Sequence, residues 1–201
     1  MKITLTKITT NAEKHIETCG RVCYQSVPSN NYKTGGLIKA LIKSGHESVL
    51  EHAIATFNID GISRACSHQL VRHRLASYSQ KSQRYVKESQ FEYVIPPEIL
   101  KKESQIRNQY VLHMQQIQDM YNYWKEIGIK NEDARMVLPN ACTTEIVMST
   151  NFREWRKIIE LRCDSHAQWE IRLLCNKILT ILYNKCPNVF EDQYNKFIKK
   201  N

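Results

Sequence analysis

From Gly61 through Lys87 this chain contains no aspartate and no glutamate, yet the same stretch holds Arg64, Arg72, Arg74, Lys81, Arg84 and Lys87, with His68 and His73 as further sites for positive charge. A solvated helical face ordinarily interleaves acids with its bases. The missing counter-charge therefore has to come from a partner or from elsewhere in the fold. Other absences narrow the choice. No apolar run approaches the ~20 residues of a membrane-spanning helix, so we expect a soluble protein with no membrane partner. The seven cysteines (Cys19, Cys23, Cys66, Cys142, Cys163, Cys175 and Cys186) include no Cys-x-x-Cys pair, and Met1 to Thr10 carries no apolar signal core. That argues against a disulfide framework and secretion, and for a reduced, cytoplasmic chain. Cys19 and Cys23 stand four apart in a helical pattern, but no second pair with zinc spacing completes a metal site, so we expect buried structural thiols and no metal. Neither G-x-G-x-x-G nor G-x-x-x-x-G-K-[S/T] occurs, so cations rather than a glycine loop must hold any phosphate. The nucleophile elbow G-x-S-x-G is missing too.

What is present is a 201-residue chain with a net charge of +9. It is most simply one domain, long enough to bury about 70% of its unfolded surface. Its charge leaves nucleic acid, a nucleotide and an acidic surface all open. Alternation and β-branching in Lys2 to Thr9 and in residues 53–60 predict strands, as does "TTEIVMST" (143–150). "FEYVIP" (91–96) reads as extended. Helices are expected after Asn11 through Tyr24, with Asn11 as cap, over Leu37 to Lys43 before Gly45, and from Ile62 to about Arg74. A long amphipathic helix spans Gln105 to Ile127, and Asn131 caps a short one ending before Pro139. Residues 153–162 read as a helix, and a final long one begins at "SHAQ", where Ser165 and Gln168 have capping-box spacing. The turn-rich "PSNNYKTGG" (28–36) separates the first two helices. Scattered strands among dominant helices give an α+β (α/β-type mixed) class, a central sheet with several long helices. Apolar faces in excess of one small core lead us to expect an oligomer.

Three constellations carry chemistry. In "RHRLASYSQKSQRY" (72–85), at about 100° per residue, His73 falls within about 20° of Ile62 and points to the core, while Arg72 and Arg74 lie some 160° apart. Either the helix unwinds here or the two arginines serve different ligands or subunits. A solvated basic helix end is the plain alternative. Against it, Ser77, Tyr78, Ser79, Gln80, Ser82, Gln83 and Tyr85 place neutral hydrogen-bonding groups between the cations, suited to a polar heterocycle and its phosphate. Ser82 has no base beside it and reads as a hydrogen-bonding group rather than a nucleophile. In "RKIIELRCDSHAQWE", Arg162 shares the apolar side of Ile158 and Ile159 and needs a partner there, either a ligand or an acid such as Asp164 or Glu170. "GHESVLEH" (45–52) is either a polar turn or a site built on His46, Glu51 and His52, without HExxH spacing.

Arg72-His73-Arg74, followed by seven residues and Ser82, resembles the signature of the flavin-dependent thymidylate synthases. The likeness extends to "GHESVLEH", to "ARMVLPN" (134–140) and to "NFREWRKIIELRCDSHAQWEI" (151–171), in the expected order over roughly 45–190. What it implies is a single domain (1–201) assembling as a homotetramer with active sites at subunit interfaces. FAD would be the cofactor, NADPH and 5,10-methylenetetrahydrofolate co-substrates, and dUMP the substrate methylated to dTMP. Carried over by position, Arg72, His73 and Arg74 would contact FAD, with Ser48, Gln80, Asn151, Arg153 and Lys157 completing its site and His46 and Glu51 near the flavin. Gln69, Leu70, Val71 and Arg72, then Gln80, Lys81, Ser82, Gln83 and Arg84, with Arg135 and Arg162, would hold dUMP. Arg162 would favour the ionised pyrimidine and is the expected catalytic residue. Gln80 stands where many members have Glu, and Lys157 where Asn or His is commoner. The rival is a basic nucleic-acid-binding module, whose affinity would fall steeply with salt; the resemblance implies no nucleic-acid partner.

Overall fold

The computed structural model describes residues 1–28 and 35–199. In chain order its elements are β1 (Lys2–Ile8), α1 (Ala12–Tyr24), α2 (Gly36–Lys43), a 3-10 turn (Glu47–His52), β2 (Ile54–Ser63), α3 (Arg64–Leu70), β3 (Ala76–Gln80), α4 (Pro97–Leu100), α5 (Ser104–Glu126), α6 (Asn131–Ala134), a second 3-10 turn (Arg135–Val137), β4 (Thr143–Asn151), α7 (Phe152–Arg162), α8 (Trp169–Lys185) and α9 (Pro187–Phe197). The class is α+β, with one four-stranded sheet in the order β1-β2-β4-β3. Register bonds run antiparallel throughout. Thr9 N–H donates to Ile54 C=O while Met1 lies against Gly61, Phe152 N–H donates to Ala53 C=O while Arg64 N–H donates to Cys142 C=O, and Lys81 N–H donates to Glu145 C=O while the Thr150 hydroxyl donates to Leu75 C=O. β2 and β4 take the central positions because their Ala, Phe, Ile and Met residues alternate at full burial. At the edge, β1 buries nothing completely.

The chain divides into two compact units. One comprises Met1–Lys2, Ile59–Gln69 and Ser79–Ile146; the other comprises Ile3–Asn58, Leu70–Tyr78 and Val147–Asn201. In the first, α5 lays Met114, Tyr110 and Ile117 against Phe91, Tyr93, Leu138 and Cys142. The second unit is centred on Trp155, fully buried, whose indole N–H donates to Ala55 C=O (3.1 Å) and whose ring meets Phe57 edge-on at 5.2 Å. Helices α7, α8 and α9 pack on one another there, and Phe152 meets Phe190 at 5.4 Å.

Several expectations need correction. The helix expected from Ile62 to Arg74 is only Arg64–Leu70: Ile62 and Ser63 extend β2, and residues 71–75 form turns. The helix thus unwinds before the arginines, so the 160° separation does not apply. Asn11 does not cap α1 with its side chain; it adopts φ 48°, the left-handed region that Asn tolerates better than most residues. Asn131 is the first residue of α6 rather than its cap. Gln168 itself caps α8, accepting from Glu170 and Ile171 N–H, so Ser165 is not part of a capping box. "FEYVIP", read as extended, makes one isolated antiparallel bridge, Tyr93 to Cys142. α9 was not expected. Cys23 is exposed and Cys19 half-buried, while the other five cysteines are buried. Most of "PSNNYKTGG", residues 29–34, lies outside the described residues.

Candidate active site

The turn carrying Arg72-His73-Arg74 belongs to the second unit and is braced from β3. The Tyr78 hydroxyl shares its proton between the carbonyls of Leu70 (2.8 Å) and His73 (3.0 Å). Burial first, and then the charge of Glu154, push that phenol up to about 12, so it stays a donor at any physiological pH. Arg72 and Arg74 are exposed while His73 keeps only 6% exposure. The alternation of an extended turn therefore achieves what helical periodicity was expected to do: cations out, imidazole in. Leu70 is fully buried and Val71 exposed.

α7 supplies the wall facing the imidazole. Asn151 Oδ1 accepts from Glu154 N–H (2.9 Å), capping the helix that carries Arg153, Glu154, Arg156, Lys157 and Arg162. Arg162 Nε donates to His73 Nε2 at 3.1 Å, and His73 Nδ1 lies 3.7 Å from Glu154 Oε1, with Glu154 4% exposed. The Glu154 carboxylate would favour a protonated imidazole. Burial outweighs it, helped by the charges of Arg162 and Lys157, and lowers the His73 pKa to about 4, so the ring is neutral at pH 7. Arg162 is half-buried, and of the two acids suggested as its partner, Asp164 and Glu170, Asp164 accepts from His166.

A cleft of about 820 Å³ opens beside α7, lined by Glu47, Glu51, Leu75, Asn151, Arg153, Glu154, Arg156, Lys157, Glu160, Leu161 and Gln193. Four of the residues assigned to the flavin by resemblance, Glu51, Asn151, Arg153 and Lys157, share it. Its volume falls within the ~300–1,000 Å³ of small-molecule sites. Arg153 pairs with Glu51, and both are about half exposed, so an incoming phosphate could exchange for the carboxylate. Arg156 cannot do this. It is buried and saturated by Glu47, Asp192 and the Val189 carbonyl, and reads as a structural anchor between α7 and α9. Arg153, Lys157 and the polar cap thus fit a dinucleotide bearing phosphates, such as FAD. Ser48 and His46 are exposed on or beside the first 3-10 turn, with His46 Nδ1 3.4 Å from the Tyr24 hydroxyl; neither lines this cleft.

The remaining assigned residues lie in the first unit, where the acids missing from the basic run are supplied from outside it. Lys81 pairs with buried Glu88 (2.9 Å), and Arg84 with Glu132 (3.2 Å). Arg135 Nε donates to the Glu132 carbonyl (3.2 Å), so Arg84 and Arg135 converge on one residue. Gln80 Nε2 donates to Ser67 Oγ (3.0 Å) and Thr144 Oγ1 (3.2 Å), and buried Gln83 reaches Cys142 Sγ (3.6 Å). Both glutamine side chains point into the protein. Ser82 Oγ accepts from Arg84 N–H (3.3 Å) and its carbonyl from Val86 N–H, which shapes the loop. Gln69, at the end of α3, is half-buried. Burial pushes the Cys142 thiol up to about 11 and those of Cys163 and Cys186 to about 12, leaving no activated sulfur among them. Among the described residues no group of three or more His, Cys, Asp or Glu could hold a metal ion.

Sequence reasoning missed Glu154, and read Tyr78 as a ligand-facing group where it braces the turn. Asn151-x-x-Glu154 is a legible helix start, but nothing in the chain's order brings Glu154 to His73.

Together, the braced basic turn, the α7 arginines and the polar cleft define an α+β protein built to hold anionic nucleotides. The family model described as "Thymidylate synthase complementing protein" matches residues 4–188. The chain is 39% identical to the flavin-dependent thymidylate synthase of Clostridium tetani, over 95% of this chain and 86% of that protein. It is 41% identical to that of Geobacter sulfurreducens, over 96% and 86%, and 41% identical to that of Mycobacterium avium, over 88% and 78%. The chain belongs to the flavin-dependent thymidylate synthase family.

Proposed function

We propose that this chain methylates dUMP to dTMP reductively, with 5,10-methylenetetrahydrofolate as carbon donor, NADPH as reductant and FAD as cofactor, in supply of dTTP. The observation that carries the reading is kinship along residues 4–188, which spans both the Arg72-His73-Arg74 turn and Arg162. FAD, when bound, supplies the hydride chemistry. Its protein partners would be Arg72, His73 and Arg74, with Ser48, Gln80, Asn151, Arg153 and Lys157, and His46 and Glu51 beside it. The neutral, buried His73 offers shape and polarity there without charge. dUMP would be held by Gln69 to Arg72, by Gln80 to Arg84 and by Arg135 and Arg162, with Gln80 and Gln83 fixing the loop. Arg162 placed against the pyrimidine lowers the cost of negative charge on the ring and makes C5 a better nucleophile. The raised thiol pKa values of Cys142, Cys163 and Cys186 leave these three unsuited as nucleophiles.

The working form would be a homotetramer of 1–201 domains in the cytoplasm, with each site completed by neighbouring chains. Exposed apolar residues on α5 (Ile106, Val111, Leu112, Met120 and Tyr123) support assembly, and seven free cysteines suit a reducing compartment. No described helix is long and apolar enough to cross a membrane. The rival basic module is weakened by the ion pairs that Lys81 and Arg84 already make with Glu88 and Glu132. The test is to supply dUMP, 5,10-methylenetetrahydrofolate, NADPH and FAD and measure dTMP. Product that requires all four supports the reading; a chain that takes up no flavin and forms no dTMP refutes it.

A further inference from the structure

Between α7 and the basic turn lies a pair of buried groups to which the family resemblance assigns no joint role. His73 and Glu154 are 6% and 4% exposed and face each other at 3.7 Å, Nδ1 to Oε1. On the other side of the ring, Arg162 Nε is 3.1 Å from Nε2. An arginine Nε–H is always a donor, so Nε2 must be the acceptor and the ring proton must sit on Nδ1. At 3.7 Å the carboxylate is too far for a good hydrogen bond, yet close enough to stabilise an N–H dipole pointing at it in a low-dielectric setting. Arg162 and Glu154 therefore select the same tautomer from opposite sides. Tyr78, which donates to the His73 carbonyl, fixes the backbone from which the ring projects. Lys157 is the other charged group acting on the ring, and it opposes a second proton.

We propose that Glu154 is a positioning residue: by holding the His73 proton on Nδ1 it keeps Nε2 as the acceptor that fixes the plane of the Arg162 guanidinium. The arginine is thereby oriented before any ligand arrives. Its importance for turnover rests on the role given to Arg162 under Proposed function; the tautomer does not.

The test uses the full chain labelled with 15N-histidine, with the His73 signals assigned by their loss in His73→Asn. At pH 7 the wild-type ring should show a protonated Nδ1 and an unprotonated Nε2. In Glu154→Leu, which removes the carboxylate while filling its space, the Nε2 signal should move toward the protonated position. With dTMP formation as the second readout, kcat/KM for dUMP should fall about tenfold in Glu154→Leu, the lower end of what loss of a group orienting a ligating histidine costs. A wild-type ring protonated on Nε2, or doubly protonated, overturns the proposal without recourse to a variant that must fold. Unchanged His73 signals in a folded Glu154→Leu overturn it as well, and a shifted tautomer with unchanged kcat/KM removes the positioning role. If the wild-type chain forms no dTMP, the functional reading fails while the nitrogen signals still decide what Glu154 does to His73.

Discussion

The ionisable side chains around the basic turn depend on one another for their state. His73 titrates near 6.5 in an unfolded chain and about 4 here, chiefly through burial. Below pH 6.5 the unfolded chain binds a proton that the folded chain refuses. Stability from this group is thus complete above about 6.5, is lost as pH falls toward 4, and changes no further below that. The loss amounts to about 3 kcal/mol and should appear as a falling urea midpoint over that interval, largely absent in His73→Asn. Arg162→Ala, if the arginine stabilises the ionised pyrimidine, should lower kcat for dTMP formation about a hundredfold, the scale of losing one preorganised donor; an unchanged kcat would remove it from that role. Arg153, half exposed and paired with Glu51 in its cleft, should matter for flavin affinity. Arg153→Ala is expected to weaken FAD binding about tenfold, equivalent to one charge-assisted hydrogen bond, as read by titration of flavin fluorescence.

At the scale of elements, α7 is the piece on which the site depends. Its start is set by the Asn151 cap, and its orientation by Trp155 under β2 and by Arg156 between Glu47 and Asp192. Asn151→Ala should lower stability by about 1 kcal/mol, while Asn151→Asp retains the cap. Arg156→Ala leaves Glu47 and Asp192 without their shared cation and should cost about 3 kcal/mol. Chemical denaturation of each variant checks both figures. α7 was readable in advance because its apolar spacing is regular and uninterrupted. By contrast, the continuation of α3 through Arg74 was a false reading. The apolar periodicity of Ile62, Cys66, Leu70 and His73 is real, but these residues are buried from a strand end, a short helix and a turn in succession, and periodicity alone cannot tell those from one helix.

For the whole molecule, the net charge of +9 left nucleic acid, a nucleotide and an acidic surface open as partners, and the structure reduces that surplus locally. Glu88, just past the end of the basic run, pairs with Lys81, while Glu132 and Glu154 come to the run or to its histidine from distant positions in the chain. What stays exposed at the turn, Arg72 and Arg74, suits small anions. Light scattering on the purified chain should give four times the 23.6 kDa of one copy, with visible flavin absorbance. A monomer lacking flavin would contradict the proposed assembly. Duplex DNA binding that falls steeply with salt, without flavin uptake, would favour the basic module instead.

The order of residues by itself determined the α+β class, the strands β1, β2 and β4, the long helix α5 and the membership announced by Arg72-His73-Arg74 with Ser82, because periodicity and short motifs are local properties. It also marked Arg162 as a buried cation in need of a partner. Only the tertiary structure brought His73 to it. His73 and Arg162 are far apart in sequence, and the pair forms because the packing of α7 under β2 brings buried polar groups to the places where leaving them unpaired would cost most.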